Sequence, residues 1–130
     1  MRIGFTGTQI GMSQHQKEQF VLKMLELSPV EFHHGDCEGA DADAHLIVRE
    51  FLPNVRIIIH PPEIMAKKAC MKGDEYRKPK AYLVRNQDIV NETEFLFAAP
   101  KSNEEELRSG TWSTVRYARK VRRDIMILER

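Results

Sequence analysis

Apolar residues recur along this chain with two alternating periods. Short runs of closely spaced apolar positions, Arg2–Phe5, Val30–His33, Val55–His60, Glu94–Ala99 and Asp124–Leu128, read as strands. Ile125, Met126, Ile127 and Leu128 are apolar in succession, as in a strand covered on both faces. Between these runs the period lengthens to that of a helix.

Ser13 with Gln16 three residues later forms a capping-box signature. Phe20, Val21, Met24, Leu25 and Leu27 follow as an apolar stripe that ends at Ser28-Pro29. A second helix carries Ala40, Ala44, Ile47, Val48 and Phe51 inward and stops before Pro53. A third, about Ala81–Val90, buries Leu83, Ile89 and Val90; a fourth, Gly110–Arg122, buries Trp112, Val115, Ala118 and Val121.

Strands alternating with helices over short connections predict right-handed crossovers. The expected fold is an α/β, Rossmann-like, doubly wound sheet of five mostly parallel strands with helices on both faces. Two connections are longer, Pro61–Lys80 and the glutamate-rich Pro100–Arg108, and connections of that length are often functional lids.

Length and composition narrow the class without naming a function. The 130 residues suffice for one domain and one core, so residues 1–130 read as a single domain. A net charge of +1 argues against a dedicated duplex-DNA binder, whose affinity rests on phosphate neutralisation. Cys37 and Cys70 lack paired spacing, which argues against a disulfide scaffold. No signal-peptide pattern opens the chain and no apolar run reaches membrane-spanning length, so the expected compartment is the cytosol, with no membrane partner.

In sheets of this kind ligands bind beyond the carboxyl ends of the strands, where helix N-termini present free N–H groups. Four stretches converge there. Thr6, Gly7, Thr8, Gln9 and Met12 belong to a glycine-containing turn after the first strand, read equally well as a ligand cradle or as a plain connection. Gly35, Asp36, Gly39, Ala40 and Asp41 follow the second strand and open the second helix. Asp41 and His45, four apart, share a helix face and could pair for acid–base work. The plainer reading, which we favour, has Asp41 at a helix N-terminus and His45 hydrogen-bonded within the fold. Arg85 and Asn86 sit on the third helix, where an arginine fork suits a phosphate or carboxylate. On a helix surface, Arg85 should contribute little to stability. Arg108, Ser109, Gly110 and Thr111 open the fourth helix with hydroxyls, backbone N–H groups and the positive end of its dipole.

Gly35–His45, Arg85–Ile89 and Ser109–Ala118 together resemble the superfamily that joins the DNA-processing protein A (DprA/Smf) domain with the Lonely Guy (LOG) phosphoribohydrolases, often called SLOG. The correspondence is to G-x-[AG]-x-G-[IA]-D-x-x-A-H, R-N-x-x-I and S-G-[ST]-x-x-T-x-x-x-A, in the same order. This resemblance implies a Rossmann-like fold, a nucleotide-type ligand and pairing with a second copy. LOG enzymes cleave an N-glycosidic bond with an arginine, which Arg85 matches, and a glutamate, whose position here holds Arg116. The expected function is therefore to bind a nucleotide or nucleotide-derived signal, for sensing, sequestration or carriage. N-glycosidic hydrolysis, with Arg85 catalytic, is the first alternative. A DprA-like hold on single-stranded DNA, weak and salt-sensitive, is the second.

Other clusters carry less. His33, His34, Asp36, Cys37, His45 and His60 lack H-x-x-x-H or C-x-x-C spacing, so neither a metal nor a cofactor is expected. Lys67, Lys68, Lys72, Arg77, Lys78 and Lys80 make the long middle loop basic, as a cationic lid or as a solvated loop. Glu104–Glu106 could supply a carboxylate to the site, though such runs are usually solvated.

Overall fold

The strand-like runs assemble into one sheet in which every pairing is parallel. The computed structural model describes all residues, Met1–Arg130. Chain order is β1 (Arg2–Gly7), α1 (Gln14–Leu27), β2 (Glu31–His34), α2 (Ala40–Phe51), β3 (Arg56–Ile59), β4 (Glu75–Tyr76), α3 (Tyr82–Asn91), β5 (Phe95–Ala99), α4 (Gly110–Lys120) and β6 (Asp124–Ile127). Across the sheet the order is β4-β3-β2-β1-β5-β6. The strand order reverses between β1 and β5, whose carboxyl ends, Gly7 and Ala99, lie side by side.

The sheet has six strands rather than the expected five. β4 is the extra one, a two-residue edge strand inside Pro61–Lys80. Its pairing of Glu75 with Ile58 and Tyr76 with Ile59 needs backbone groups only, so no apolar run marks it in the sequence.

Helices α1 and α2 pack together, as do α3 and α4. The larger core joins Phe5, Phe20, Phe32 and Phe97 with Ile57, Ile59 and the apolar faces of α1 and α2. Phe20 meets Phe5 and Phe97 edge-on, at centroid distances of 5.5 and 5.0 Å, a favoured aromatic geometry. Val90, Leu96 and Ala118 form one smaller cluster under α3 and α4, and Ala98, Trp112 and Val115 another.

Three expected core residues are exposed instead: Leu25, Phe51 and Leu83. In α3 the buried face is Arg85, Asn86, Ile89 and Val90, which turns Leu83 outward.

Ser13 and Gln16 form the expected capping box at α1. Gln16 does more than cap, since its buried amide donates to the carbonyls of Pro100 and Leu128, at 2.9 and 3.1 Å. It thereby ties α1 to the chain leaving β5 and β6. Gln16→Ala should cost about 2 kcal/mol, because truncation strands buried carbonyls. The check is a lower urea midpoint at unchanged slope.

Candidate functional site

The reversal between β1 and β5 opens a cleft with two lobes. Gly7, Thr8, Gln9 and Ile10 after β1, Lys101, Glu106 and Arg108 after β5, Ser109, Gly110 and Thr111 at the start of α4, and Tyr82 line the polar lobe. Its volume is about 370 Å³. A neighbouring lobe of about 370 Å³ is more apolar, walled by Gln9, Cys37, Pro62, Glu63, Ile64, Ala66, Lys67, Ala81 and Tyr82. Gln9 and Tyr82 belong to both walls.

The polar lobe gathers hydrogen-bond donors and positive charge. Ser109 caps α4 by accepting from Trp112 N–H at 3.2 Å. The N–H groups of Gly110 and Thr111 have no acceptor in the chain, as first-turn donors of a helix. Lys101 and Arg108 add positive charge to that end of the helix dipole. Glu106 is the opposing charge, with Lys101 Nζ 3.6 Å away. A side chain at position 110 would place its β-carbon 2.6 Å from the Tyr82 hydroxyl, so glycine lets Tyr82 lie against the helix start.

The second stretch supports the cleft more than it lines it. Asp41 accepts from the N–H groups of Gly35 and Cys37, at 3.1 and 3.2 Å, closing the turn after β2. Asp36 accepts from Met71 N–H at 2.8 Å and pins the long loop. Gly39, with φ of +90°, lets its backbone pass against Gln9, where a β-carbon would strike a carbonyl. Ala40 N–H then bonds to Thr8 O at 2.9 Å. Thr6 is buried in β1, and Met12 turns into the main core, so neither lines the cleft.

Arg85 departs furthest from expectation. It is 2% exposed, not a surface residue. Its NH1 donates to Gly35 O and, at 3.0 Å, to His60 O. Its Nε donates to Asn86 Oδ1 at 2.8 Å, and the guanidinium lies 4.9 Å from the centroid of the Tyr82 ring. Its partners therefore lie beyond β2, beyond β3 and on α3. Arg85 stands behind the cleft wall and positions it, while Tyr82 provides the surface. Gly35 is glycine because a β-carbon there would overlap the guanidinium.

Burial governs the charges in this layer. It pushes the Asp41 carboxyl up to about 6, against Arg85 and the two N–H donors, which pull it down. Asp36 is raised for the same reason. One oxygen of each carboxylate is buried without a hydrogen-bond partner. Burial likewise raises the Cys37 thiol, which argues against a thiolate nucleophile in the apolar lobe. His45, as expected, bonds within the fold: its Nδ1 lies 2.9 Å from His34 Nε2.

Sequence reasoning missed most of the apolar lobe. Tyr82 and the Pro62–Lys67 segment carry no motif, and the only signals for the loop were its length and its basic charge. Two of its six basic side chains are paired, Arg77 with Glu75 and Glu92 and Lys80 with Asp88. Arg116, where the resemblance to LOG enzymes would put a glutamate, pairs with Glu105 at 3.0 Å and donates to the carbonyls of Glu106 and Leu107. It braces the loop that carries Glu106 into the polar lobe.

No family model matches this sequence, and no curated protein does. Similar folds occur among solved structures. A molybdenum cofactor binding protein from the phototrophic bacterium Rippkaea orientalis superposes with a TM-score of 0.73 at 17% identity, over 98% of this chain and 76% of that one. TM1055, a structural genomics target, gives 0.65 at 11% identity, over 96% and 72%. DNA processing protein A (DprA) from Streptococcus pneumoniae gives 0.68 at 16% identity, over 97% of this chain and 49% of that one. At these identities the likeness establishes the fold: the chain is a Rossmann-like α/β domain of the kind found in DprA and in a molybdenum cofactor binding protein.

Proposed function

We propose that the chain binds a nucleotide or nucleotide-derived small molecule across the two lobes. The observation that carries this reading is the contiguity of an anion-holding helix start and an apolar slot, joined through Gln9 and Tyr82. Phosphate oxygens face Gly110 and Thr111 N–H, Lys101 and Arg108. The base occupies the slot between Tyr82 and the Pro62–Ala66 wall. The likeness in fold to a cofactor-binding protein supports a ligand at this edge of the sheet.

Adenosine mono- and diphosphate at millimolar concentration should raise the melting temperature, because a ligand that binds only the native state stabilises it by mass action. Native mass spectrometry of the freshly purified protein reads the retained ligand and the number of chains together. A broad nucleotide panel that gives no shift defeats the proposal. Gly110→Val should weaken binding at least about tenfold, since its side chain displaces Tyr82 from the helix start.

Glu106 favours a second reading, hydrolysis, because it brings a carboxylate into the polar lobe where the family's glutamate is replaced. Chromatography after long incubation decides between them. Intact nucleotide supports binding alone. Free base released by wild type but not by Glu106→Gln supports the hydrolase. The fold shared with DprA leaves single-stranded DNA to be tested at physiological salt, where weak binding is expected.

A further inference from the structure

Away from the cleft, on the face of the sheet opposite His34, four side chains stand in series. His33 Nε2 lies 2.9 Å from Glu31 Oε1, and His33 Nδ1 lies 2.8 Å from His60 Nε2. His60 Nδ1 in turn lies 3.9 Å from Glu92 Oε2. Both imidazoles are buried, and Glu92 is partly open to solvent.

Neutral rings satisfy both close contacts in one arrangement, with His33 Nε2–H donating to Glu31 and His60 Nε2–H donating to His33 Nδ1. The Glu92 oxygen, at 3.9 Å, lies too far for a direct hydrogen bond and is free to join the two rings as a third ligand. A metal ion would take the place of the proton between the rings and draw that carboxylate in.

We propose that His33, His60 and Glu92 form a site for a borderline divalent cation such as Zn²⁺ or Co²⁺. One ring nitrogen from each histidine and one carboxylate oxygen of Glu92 already lie within 4.8 Å of one another. His₂Glu with a solvent-side water is an established zinc ligand set, at about 2.0–2.2 Å per bond. Tetrahedral bonds of that length place ligand atoms about 3.3 Å apart, so the facing nitrogens open by roughly 0.5 Å. Glu31 then accepts the outer N–H of His33, the carboxylate support that ligating histidines usually have. Arg77, donating to Glu92 Oε1 at 2.9 Å through Nε and 2.8 Å through NH2, fixes that carboxylate and leaves Oε2 facing His60. The ion would brace the cleft wall, since His60 carries the carbonyl that holds Arg85 and precedes Pro61-Pro62.

Chelator-treated full-length protein titrated with zinc chloride and cobalt chloride tests this by calorimetry, melting temperature and, for cobalt, visible absorption. The expected result is one ion per chain, a raised melting temperature and tetrahedral cobalt bands. Glu92→Gln, at a partly exposed position that leaves the core intact, should weaken binding at least tenfold; His60→Gln should abolish it. No saturable binding by wild type overturns the site. So does equal affinity in Glu92→Gln, which would place the ion elsewhere.

Discussion

Replacing Arg85 with alanine should lower the melting temperature of the unliganded protein by more than about 10 °C. The guanidinium is 2% exposed and joins the turn after β2, the end of β3 and α3 through Gly35, His60 and Asn86. Hydrogen bonds from a charged donor are each worth about 1.5–3 kcal/mol, and removing the donor strands buried acceptors. Breaking a buried charged network by truncating one partner costs about 3–5 kcal/mol. At about 3–5 °C per kcal/mol for a domain of this size, the shift exceeds 10 °C. Asp36 and Asp41 would also lose the positive charge that offsets their burial. Arg85→Lys should recover only part of the loss, because an ammonium cannot reproduce the fork. Calorimetric melting of both variants checks this, and a shift below about 2 °C for alanine would restore Arg85 to the surface role its sequence context implies.

Chelator-treated protein should lose stability as pH falls from 6.5 towards 4. Burial holds His34 well below its ordinary range, lowers His33, and brings His45 down to about 4 and His60 to about 3. A depressed imidazole stays neutral in the fold while the unfolded chain takes up its proton below about 6.5. Its stabilising contribution is therefore complete above that pH and is lost as pH falls towards the folded value. Asp41 works in the opposite sense. With a folded value near 6, it binds a proton in the fold that the unfolded chain, near 3.8, does not bind in that interval. Asp36, raised in the same direction, adds to this offset. His45 and His60 against Asp41 leave a net slope of about 1 kcal/mol per pH unit near pH 5, which His34 and His33 steepen and Asp36 reduces. Urea midpoints measured across this range should fall together with pH, and a flat profile from pH 7 to 4.5 would contradict the neutral assignment of these histidines.

The layout of the fold was legible because burial on both faces leaves continuous apolar runs such as Ile125–Leu128, and the Ser13–Gln16 box marks α1. β4 was not, since an edge strand of two residues, Glu75 and Tyr76, needs hydrogen bonds but no apolar pattern. The polar lobe was legible from its local sequence. Glycine and hydroxyl residues at a strand-to-helix turn are conspicuous, and Gly7, Thr8, Gln9 and Arg108–Thr111 do line it. Arg85 was misplaced because charged residues on a helix are normally solvated. Only tertiary contacts with Gly35 and His60 reveal that it faces inward. The apolar lobe escaped because its wall comes from a loop, Pro62–Lys67, whose position is set by distant ties to Asp36 and Glu38. Motif spacing carries no trace of such ties.

The central claim is that one small ligand spans the start of α4 and the slot beside Tyr82. An amide NMR titration of the full chain with adenosine diphosphate tests it most directly. The account predicts that the largest shifts fall on Thr8, Gln9, Gly110 and Thr111, with the Tyr82 ring and Ile64 perturbed at the same ligand concentration. Perturbations confined to other surfaces, or none at millimolar ligand, would contradict it.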